Sequence, residues 1–351
     1  MIIGFDGSRA FVKDKTGTEN YSYQLLKALS RIDQQNKYVV FLRTGTAVDR
    51  FPDNFHFQII DWPKFWTQAG LAWETFKVKL DVLFVPSHTL PILRKPGLKT
   101  IVTVHDLGSE YLPQMHQVKQ RLYLSFMQKF QLKGATKVIA VSKATKEDLI
   151  NRIGIEPEKI VVVYEGYDKN LFKVDTKVNT LRYFLCVGTV QPRKNLARVI
   201  RAFAQILGTK LVIAGQKGWL SDEIYRLPKK LKIEERVKFL GYVSEKDLPA
   251  LYSQAIALVY PSLYEGFGLP ILEAQACGCP VITSNLSSMP EIAGKGALYV
   301  NPYDVKAITR AMMKMQTVAI KRQLIINGFD NVKRFSWEKC ARETLAVLES
   351  V

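Results

Sequence analysis

The stretch PSLYEGFGLPILEA, residues 261–274, follows an apolar run ending at Tyr260 and contains two glycines, two prolines and two glutamates. Glycine lets a backbone approach a ligand closely, and a proline fits the first turn of a helix, where its missing N–H costs nothing. The pattern predicts a strand, a glycine turn and a helix over 270–276, with Glu265 before the helix and Glu273 in its first turn. The amides and the dipole of that first turn make an anion site.

Outward from this stretch, short β-rich runs alternate with helical patterns in both halves of the chain. Strands are predicted over residues 2–6, 38–42, 55–60, 82–85, 100–105, 138–141, 183–187, 211–214, 237–240, 256–260 and 280–283. Helices are predicted over residues 20–32, 143–152, 196–206, 222–232, 246–253, 270–276, 305–315, 319–333 and 337–351. The alternation is typical of α/β proteins with doubly wound parallel sheets, which bind ligands at the carboxyl ends of their strands. A polar stretch over 167–179 suits a linker between two such sheets.

The length, the hydrophobic and charged fractions and the net charge limit which kind of protein this is and what it binds. The 351 residues are enough for two domains, and 47% hydrophobic with 23% charged residues is typical of globular proteins. The formal net charge of +18, spread over both halves, indicates an anionic partner such as a phosphate ligand, a nucleic acid or an acidic membrane. No secretory leader or membrane span is recognised, which predicts a cytoplasmic protein. The four cysteines and four histidines lack metal-ligand spacing, so neither a metal site nor a disulfide framework is expected.

A second polar element, Gly188 to Asn195, follows the predicted strand over 183–187. Arg193 offers a planar fork for two phosphate oxygens and Lys194 a mobile point charge, so the adjacent pair suits a diphosphate. Asn195 is placed to cap the helix that starts at Leu196. Neither of the two common glycine-rich phosphate motifs is present, so the sequence disfavours a nucleotide triphosphatase and a dinucleotide dehydrogenase.

The two glutamates add a second kind of recognition. Carboxylates are strong acceptors for vicinal hydroxyls, so Glu265 and Glu273 suit a hexose and a ribose.

These elements resemble retaining glycosyltransferases of family 4, which have the GT-B fold. The resemblance rests on Glu265 to Glu273, on Gly188 to Asn195 and on Phe335-Ser336-Trp337 before the last helix, and it covers the whole chain. Within the family, residues 65–68, 81–86 and 105–107 are similar to mannosyltransferases that build bacterial surface polysaccharides. The resemblance implies two Rossmann-like domains facing across a cleft: an acceptor-binding domain over 1–168, a donor-binding domain over 169–335, and a helix over 336–351 that returns to the first.

The same resemblance implies a role for each matching residue. Arg193 and Lys194, after Gly188, would neutralise the donor diphosphate, Glu265 would contact the donor sugar and Glu273 the ribose. The residues expected to contact the donor through the backbone or as lining are Gly17, Thr18, Gly241, Tyr242, Val243, Gly266, Phe267, Gly268 and Leu269. His105 matches a histidine that reaches the sugar near the attacked carbon. The family often has Asn-Gly before the crossover between domains, whereas this chain has Glu165-Gly166, which leaves Glu165 without an assigned role.

The expected reaction is transfer of a hexose, with a preference for mannose, from GDP-mannose or a UDP-hexose to a glycan or lipid-linked acceptor. The resemblance implies retention of anomeric configuration. The chain contains no Asp-x-Asp, so we expect metal independence and no cofactor. A sugar-nucleotide epimerase of the same fold is an alternative. A nucleic-acid-binding protein is a third hypothesis, which the spread of charge and the lack of a recognition motif disfavour. The oligomeric state is left open.

Two segments indicate a membrane surface as a further partner. Residues 62–79 contain Trp62, Phe65, Trp66, Trp73 and Phe76 beside lysines, and residues 119–133 combine aromatic and basic side chains. In the second segment the aromatic spacing also suits core packing. Aromatic rings with lysines are typical of membrane interfaces, so peripheral attachment to an anionic membrane is expected.

Overall fold

The structure is a computed structural model that describes residues 1–12, 15, 17–87, 89–107, 129–175 and 183–351. The chain divides into an N-terminal unit, Met1–Gly166 with Trp337–Val351, and a C-terminal unit, Tyr167–Ser336. The division at Gly166 lies two residues before the predicted boundary, and the division at Ser336 one residue after it. The last helix therefore belongs to the N-terminal unit.

The N-terminal unit contains a parallel seven-stranded sheet in the order β3-β2-β1-β4-β5-β6-β7. Its strands are β1 Ile2–Asp6, β2 Lys37–Arg43, β3 Phe55–Ile60, β4 Val82–Val85, β5 Lys99–Val104, β6 Lys137–Ala140 and β7 Ile160–Val162. Strands covered on both faces are apolar throughout, as Val82–Val85 is. The order of connection reverses between β1 and β4, which is where such sheets bind ligands.

Helices cover this sheet with amphipathic faces. They are α1 Gly17–Ile32, α2 Ala72–Lys77 after the π-helix Trp66–Leu71, α3 Lys143–Asp148 followed by the π-helix Leu149–Ile153, and the last helix of the chain, α11 Trp337–Glu349. Tyr21 and Leu25 on α1 are fully buried, and the Tyr21 ring meets Trp337 edge to face at 5.9 Å. Asn36, after α1, donates to Glu349 at 3.0 Å. These contacts join the last helix to α1.

The C-terminal unit contains a parallel six-stranded sheet in the order β10-β9-β8-β11-β12-β13. Its strands are β8 Tyr183–Val187, β9 Lys210–Ala214, β10 Val237–Gly241, β11 Ala257–Tyr260, β12 Val281–Ser284 and β13 Ala297–Val300. Its helices are α4 Leu196–Phe203, α5 Asp222–Lys230, α6 Leu248–Gln254, α7 Leu269–Ala276, α8 Met289–Ala293, α9 Val305–Lys314 and α10 Val318–Val332. In this sheet the order of strand connection reverses between β8 and β11. The predicted fold class, two Rossmann-like parallel sheets with helices, is confirmed.

Several local predictions need correction. The sequence prediction missed β7, β13, α8, α2 and the π-helix before α2. Asn195 occupies the position before α4, but its side chain makes no capping bond; instead it donates to the carbonyls of Pro261 and Pro302 at 3.0 and 2.7 Å. Ser142 does cap α3, since its hydroxyl accepts from the amide of Thr145 at 3.0 Å.

The predicted linker over 167–179 is described as far as residue 175 and belongs to the C-terminal unit. There Phe172 is buried and its ring meets Tyr252 edge to face at 6.3 Å. Residues 176–179 lie outside the described residues.

Candidate active site

The turns that follow β8 and β11 lie side by side because these two strands pair across the switch point. Arg193 joins them twice. Its carbonyl accepts from the amide of Leu263 at 2.9 Å, and its guanidinium donates to the carbonyl of Tyr264 at 2.9 Å. The structure therefore brings together the two sequence elements that were predicted to hold the ligand.

A buried charge cluster forms where these turns meet. Arg193 Nη1 and Lys194 Nζ each lie 2.7 Å from one carboxylate oxygen of Glu265, and Lys194 Nζ also lies 2.7 Å from the hydroxyl of Tyr260. Burial alone would raise the pKa of Glu265, but the charges of Arg193 and Lys194 outweigh it and the pKa falls to about 2. The cluster thus holds two cations and one ionised carboxylate.

The backbone around Glu265 is fixed from the opposite side. The hydroxyls of Ser287 and Ser288 donate to the carbonyl of Glu265 at 2.5 and 2.9 Å, and that of Ser288 also lies 2.7 Å from the carbonyl of Phe267. The ring of Phe267 is buried against Phe335. Phe267 therefore anchors the loop with its side chain, while any contact to a ligand falls to its backbone.

Glycine is required at two bends of the site. Gly268 precedes α7 with φ 112°, and Gly188 follows β8 with φ 127°, both in the region that side chains disfavour. A Cβ on Gly188 would also stand 3.3 Å from Cε of Lys194. The two bends set the direction of α7 and leave room for the lysine.

Helix α7 begins at Leu269, with Pro270 in its first turn. Glu273 therefore lies in the second turn, and its prediction for the first turn is wrong by one residue. Its carboxylate accepts from the hydroxyl of Tyr252 on α6 at 2.7 Å. Burial raises the pKa of Glu273 to about 7, although the Tyr252 bond opposes the rise, and the charge of Glu245 adds to it.

The other residues of the C-terminal unit that were predicted to contact the donor lie at the carboxyl ends of the strands of its sheet. Gly266 and Leu269 belong to the loop and the first turn just described. Gly241 ends β10, its carbonyl accepts from the amide of Gly215 at 2.8 Å, and Val243 follows two residues later. The Tyr242 side chain between them is 57% exposed and so available to a ligand.

In the N-terminal unit, Gly17 and Thr18 are the first two residues of α1. The amides of a first helical turn have no acceptor within their own helix. Among the described residues, a Cβ built on Gly17 would meet nothing within 4 Å.

His105 directly follows β5 and is 9% exposed. Its Nδ1 lies 3.0 Å from Oε1 of Glu165, and its Nε2 lies 2.9 Å from the carbonyl oxygen of Pro86. Burial lowers the pKa of His105, but the hydrogen bond and the charge of Glu165 outweigh it and the pKa is raised. Both ring nitrogens therefore have protein partners in this structure.

Sequence reasoning missed three kinds of residue around these sites. The hydroxyl of Tyr260 contacts Lys194, and that of Tyr252 contacts Glu273. Ser287 and Ser288 hold the loop at Glu265. Glu165 binds His105. Only Glu165 gave a signal in the sequence, as a carboxylate where the resembling family often has an asparagine.

Within residues 1–12, 15, 17–87, 89–107, 129–175 and 183–351, no three His, Cys, Asp or Glu side chains gather as a set of metal ligands. Cys186, Cys277, Cys279 and Cys340 are buried and free. No helix in the described part of the chain is long and apolar enough to cross a membrane.

Comparison with known proteins adds an independent line of observation. The family model for Glycosyl transferases group 1 matches residues 168–328, and that for Glycosyltransferase Family 4 matches residues 15–171. The chain is 34% identical over 346 residues to the O-antigen chain mannosyltransferase RfbU of Salmonella typhimurium, covering 92% of this chain and 95% of that protein. It is 31% identical over 291 residues to the O-antigen chain mannosyltransferase B of Escherichia coli, covering 78% and 75%.

A solved structure shares the fold. Anabaena Alr3699/HepE in complex with UDP-glucose matches with a TM-score of 0.77 at 18% identity, over 100% of this chain and 99% of that one.

Proposed function

The chain belongs to glycosyltransferase family 4, and on that premise we propose that it transfers mannose from GDP-mannose to a glycan or lipid-linked acceptor, with retention of anomeric configuration. The observation that carries the proposal is the contact of Arg193 and Lys194 with Glu265 at the switch point of the C-terminal sheet. Such a point is where doubly wound sheets bind nucleotides.

When the donor binds, its diphosphate would replace the Glu265 carboxylate as the ion-pair partner of Arg193 and Lys194. Negative charge grows on the diphosphate as the glycosidic bond breaks, and preorganised cations stabilise that charge in the transition state. Once released, the Glu265 carboxylate faces the hydroxyls of the donor sugar. The amide of Leu269, at the start of α7, would extend the same anion site, whereas Pro270 has no N–H and the amide of Ile271 donates to the carbonyl of Gly268 at 2.9 Å.

The remaining contacts follow from the positions of the other residues. Glu273 would bind the ribose hydroxyls, and the segment 241–243 would line the base. Gly17 and Thr18 keep the role at the diphosphate that the family resemblance implies, and His105 keeps its role at the sugar near the attacked carbon. An attack on the same face as the leaving group, with the leaving phosphate taking the acceptor proton, accounts for retention without a covalent intermediate.

Mannose is preferred over other hexoses because two relatives, at 34% and 31% identity, are mannosyltransferases. The fold neighbour in complex with UDP-glucose makes UDP-hexoses the competing donors.

The test is a thermal-shift screen of the purified protein against GDP-mannose, UDP-glucose, UDP-galactose and UDP-N-acetylglucosamine. A ligand that binds only the folded state stabilises it by about 2.7 kcal/mol at 100 times its dissociation constant. GDP-mannose should shift the melting temperature most, and radiolabelled mannose should then appear in a glycan or a lipid extract of bacterial membranes. No shift with any nucleotide sugar contradicts the proposal. An epimerised sugar formed from the donor alone identifies an epimerase instead.

We further propose that the acceptor is reached at an anionic membrane surface, through an aromatic surface made by Trp62, Phe65, Trp73 and Phe76. These side chains are 44, 79, 55 and 45% exposed. Trp66, which the sequence grouped with them, is 3% exposed and packs in the core under Arg43, so its expected membrane role is wrong.

A neighbouring loop extends this surface. Gln68 in the π-helix donates to the carbonyl of Leu90 at 2.9 Å and accepts from the amide of Ile92 at 3.0 Å. The next residue of that loop, Leu93, is 70% exposed. Lys77 lies 5.7 Å from the ring centre of Trp73, so positive charge stands beside the apolar side chains.

The second predicted segment is only partly described. Its residues 119–128 lie outside the described residues, and Phe130 is 58% exposed. The proposal therefore rests on the aromatic surface alone.

A further inference from the structure

The His105 ring lies between two groups that accept hydrogen bonds. The carbonyl oxygen of Pro86 can only accept, and an ionised carboxylate such as that of Glu165 can only accept. A neutral imidazole carries one N–H and can satisfy only one of them. With both distances at 3.0 Å or less, the geometry requires hydrogen on both ring nitrogens whenever Glu165 is ionised.

Titratable residues from the loop after β5, from α1 and from α11 lie next to this pair. Asp106 is the next residue after His105, and its charge adds to that of Glu165 in favouring a positive ring. From α1, the Tyr21 ring meets His105 edge to face at 4.5 Å, and its hydroxyl lies 3.2 Å from Oγ1 of Thr103 on β5. From α11, Cys340 contributes to the raised pKa of Tyr21, and the charge of Glu165 contributes to the raised pKa of Cys340.

The two further titratable groups do not oppose the charge on the ring. Burial raises the pKa of Tyr21 and of the Cys340 thiol, so both are neutral at physiological pH. Of these neighbours in the described part of the chain, Tyr21 and Cys340 are neutral and Asp106 is a carboxylate.

We propose that Glu165 is a positioning residue that keeps His105 as an imidazolium ion, locked in orientation by its two hydrogen bonds. This rests on the proposed function, in which His105 faces the donor. The ring then supplies a fixed positive charge near the departing diphosphate and takes no proton from the acceptor. A carboxylate at position 165 does this where an asparagine, which is uncharged, would leave the ring free to become neutral.

The first test is ¹⁵N NMR of the protein labelled at its histidine rings, with His105→Asn used to assign the His105 signals. Both ring nitrogens should carry hydrogen at pH 7, above the ordinary imidazole pKa of 6.5. In Glu165→Gln, loss of the adjacent charge should lower the His105 pKa by about one unit or more, because a neighbouring opposite charge has an effect of that size. A wild-type His105 that carries a single N–H at pH 7 overturns the proposal.

The second test is the pH profile of transfer. As the pH rises, kcat of Glu165→Gln should start to fall at a lower pH than wild-type kcat. It should fall about tenfold per pH unit above the lowered His105 pKa and recover at acid pH. The donor KM should change less than kcat. Glu158→Gln, an exposed glutamate of the same unit, removes the same charge and should keep the wild-type profile.

A purely structural role for Glu165 predicts a different pattern. The variant would then melt earlier but keep the wild-type pH profile and His105 protonation, and that result overturns the proposal. Because the NMR experiment needs no turnover, absence of transfer in all proteins contradicts only the proposed function.

Discussion

Nζ of Lys194 lies 2.7 Å from Oε1 of Glu265, so the lysine proposed for the donor diphosphate is already bound to a carboxylate. Arg193 binds the other oxygen of the same carboxylate at 2.7 Å. The two carboxylate oxygens thus pair with the two cations as two phosphate oxygens would, and the carboxylate competes with the donor diphosphate for Arg193 and Lys194. The two ion pairs stabilise the cluster in the absence of the donor, and the donor has to displace the carboxylate in order to bind.

Glu265→Gln should bind a nucleoside diphosphate more tightly than the wild type and transfer sugar more slowly. The amide leaves both cations without a competing charge, but it is a weaker partner for the sugar hydroxyls. Calorimetric titration with GDP and steady-state kcat measure the two effects. Weaker GDP binding by the variant would falsify the competition.

Lys194→Ala should lower transfer about a hundredfold or more while the fold remains intact, because removal of one preorganised charge contact has an effect of this order. The measurement is kcat/KM, with circular dichroism to check folding. Lys333→Ala, which removes an exposed lysine whose Nζ lies 3.3 Å from Asp330, serves as the matched control. Near-normal turnover by Lys194→Ala contradicts the role of the lysine.

The sequence alone predicted the two sheets well, because buried parallel strands such as 82–85 and 257–260 are continuous apolar runs between turn signals. It missed Ile160–Val162 and Ala297–Val300 because three or four residues at a sheet edge carry too little pattern. It also placed Asn195 as a cap, where long-range bonds to two carbonyls take the side chain instead.

The candidate site was predicted as a set of residues but not as an electrostatic arrangement. Glu265 and Glu273 are eight positions apart with the same chemistry, yet the pKa of one falls to about 2 and that of the other rises to about 7. The difference comes from Arg193 and Lys194 on one side and burial beside Tyr252 on the other. Such contacts depend on tertiary packing, which spacing in a sequence does not contain.

The raised pKa of Glu273 predicts pH-dependent donor binding. An ionised carboxylate is the better acceptor for ribose hydroxyls, so the dissociation constant of the donor should fall as the pH rises through about 7. Titrations between pH 6 and pH 8.5 measure it. In Glu273→Gln binding should be weak and level across that range, and a pH dependence that persists in the variant contradicts the assignment.

The same group should make the ligand-free protein less stable at higher pH. The folded-state pKa of about 7 lies above the ordinary 4.5, so the folded state holds the proton more tightly, and stability declines as the pH rises between these values. Glu273→Gln should therefore melt at a higher temperature than the wild type at pH 8 and at a similar one at pH 5. Equal melting temperatures at pH 8 show that the carboxylate is not strained by burial.

Transfer should survive an excess of chelator, because Arg193, Lys194 and the first turn of α7 supply the positive charge that a divalent ion provides elsewhere. The measurement is the initial rate with and without EDTA, followed by addition of Mg²⁺ or Mn²⁺. Loss of activity that either ion restores contradicts metal independence.

The aromatic surface should bind anionic membranes. Exposed aromatic rings insert at the interface between headgroups and acyl chains, and each well-placed basic residue adds about 1 kcal/mol of attraction to anionic lipid. Co-sedimentation with vesicles of phosphatidylglycerol should exceed that with phosphatidylcholine and should weaken as salt rises. Trp73→Ser with Phe76→Ser should lower binding at least tenfold.

The control for membrane binding is a pair of exposed apolar residues in the other unit. Leu207 and Val318 are 81 and 74% exposed, so Leu207→Ser with Val318→Ser removes a similar kind of side chain away from the aromatic surface and should leave sedimentation unchanged. Equal loss in both double variants would show that apolar exposure in general, not the aromatic surface, drives attachment. Sedimentation that is absent at low salt, or indifferent to lipid charge, instead indicates a soluble acceptor, with the four aromatic side chains contributing to acceptor binding.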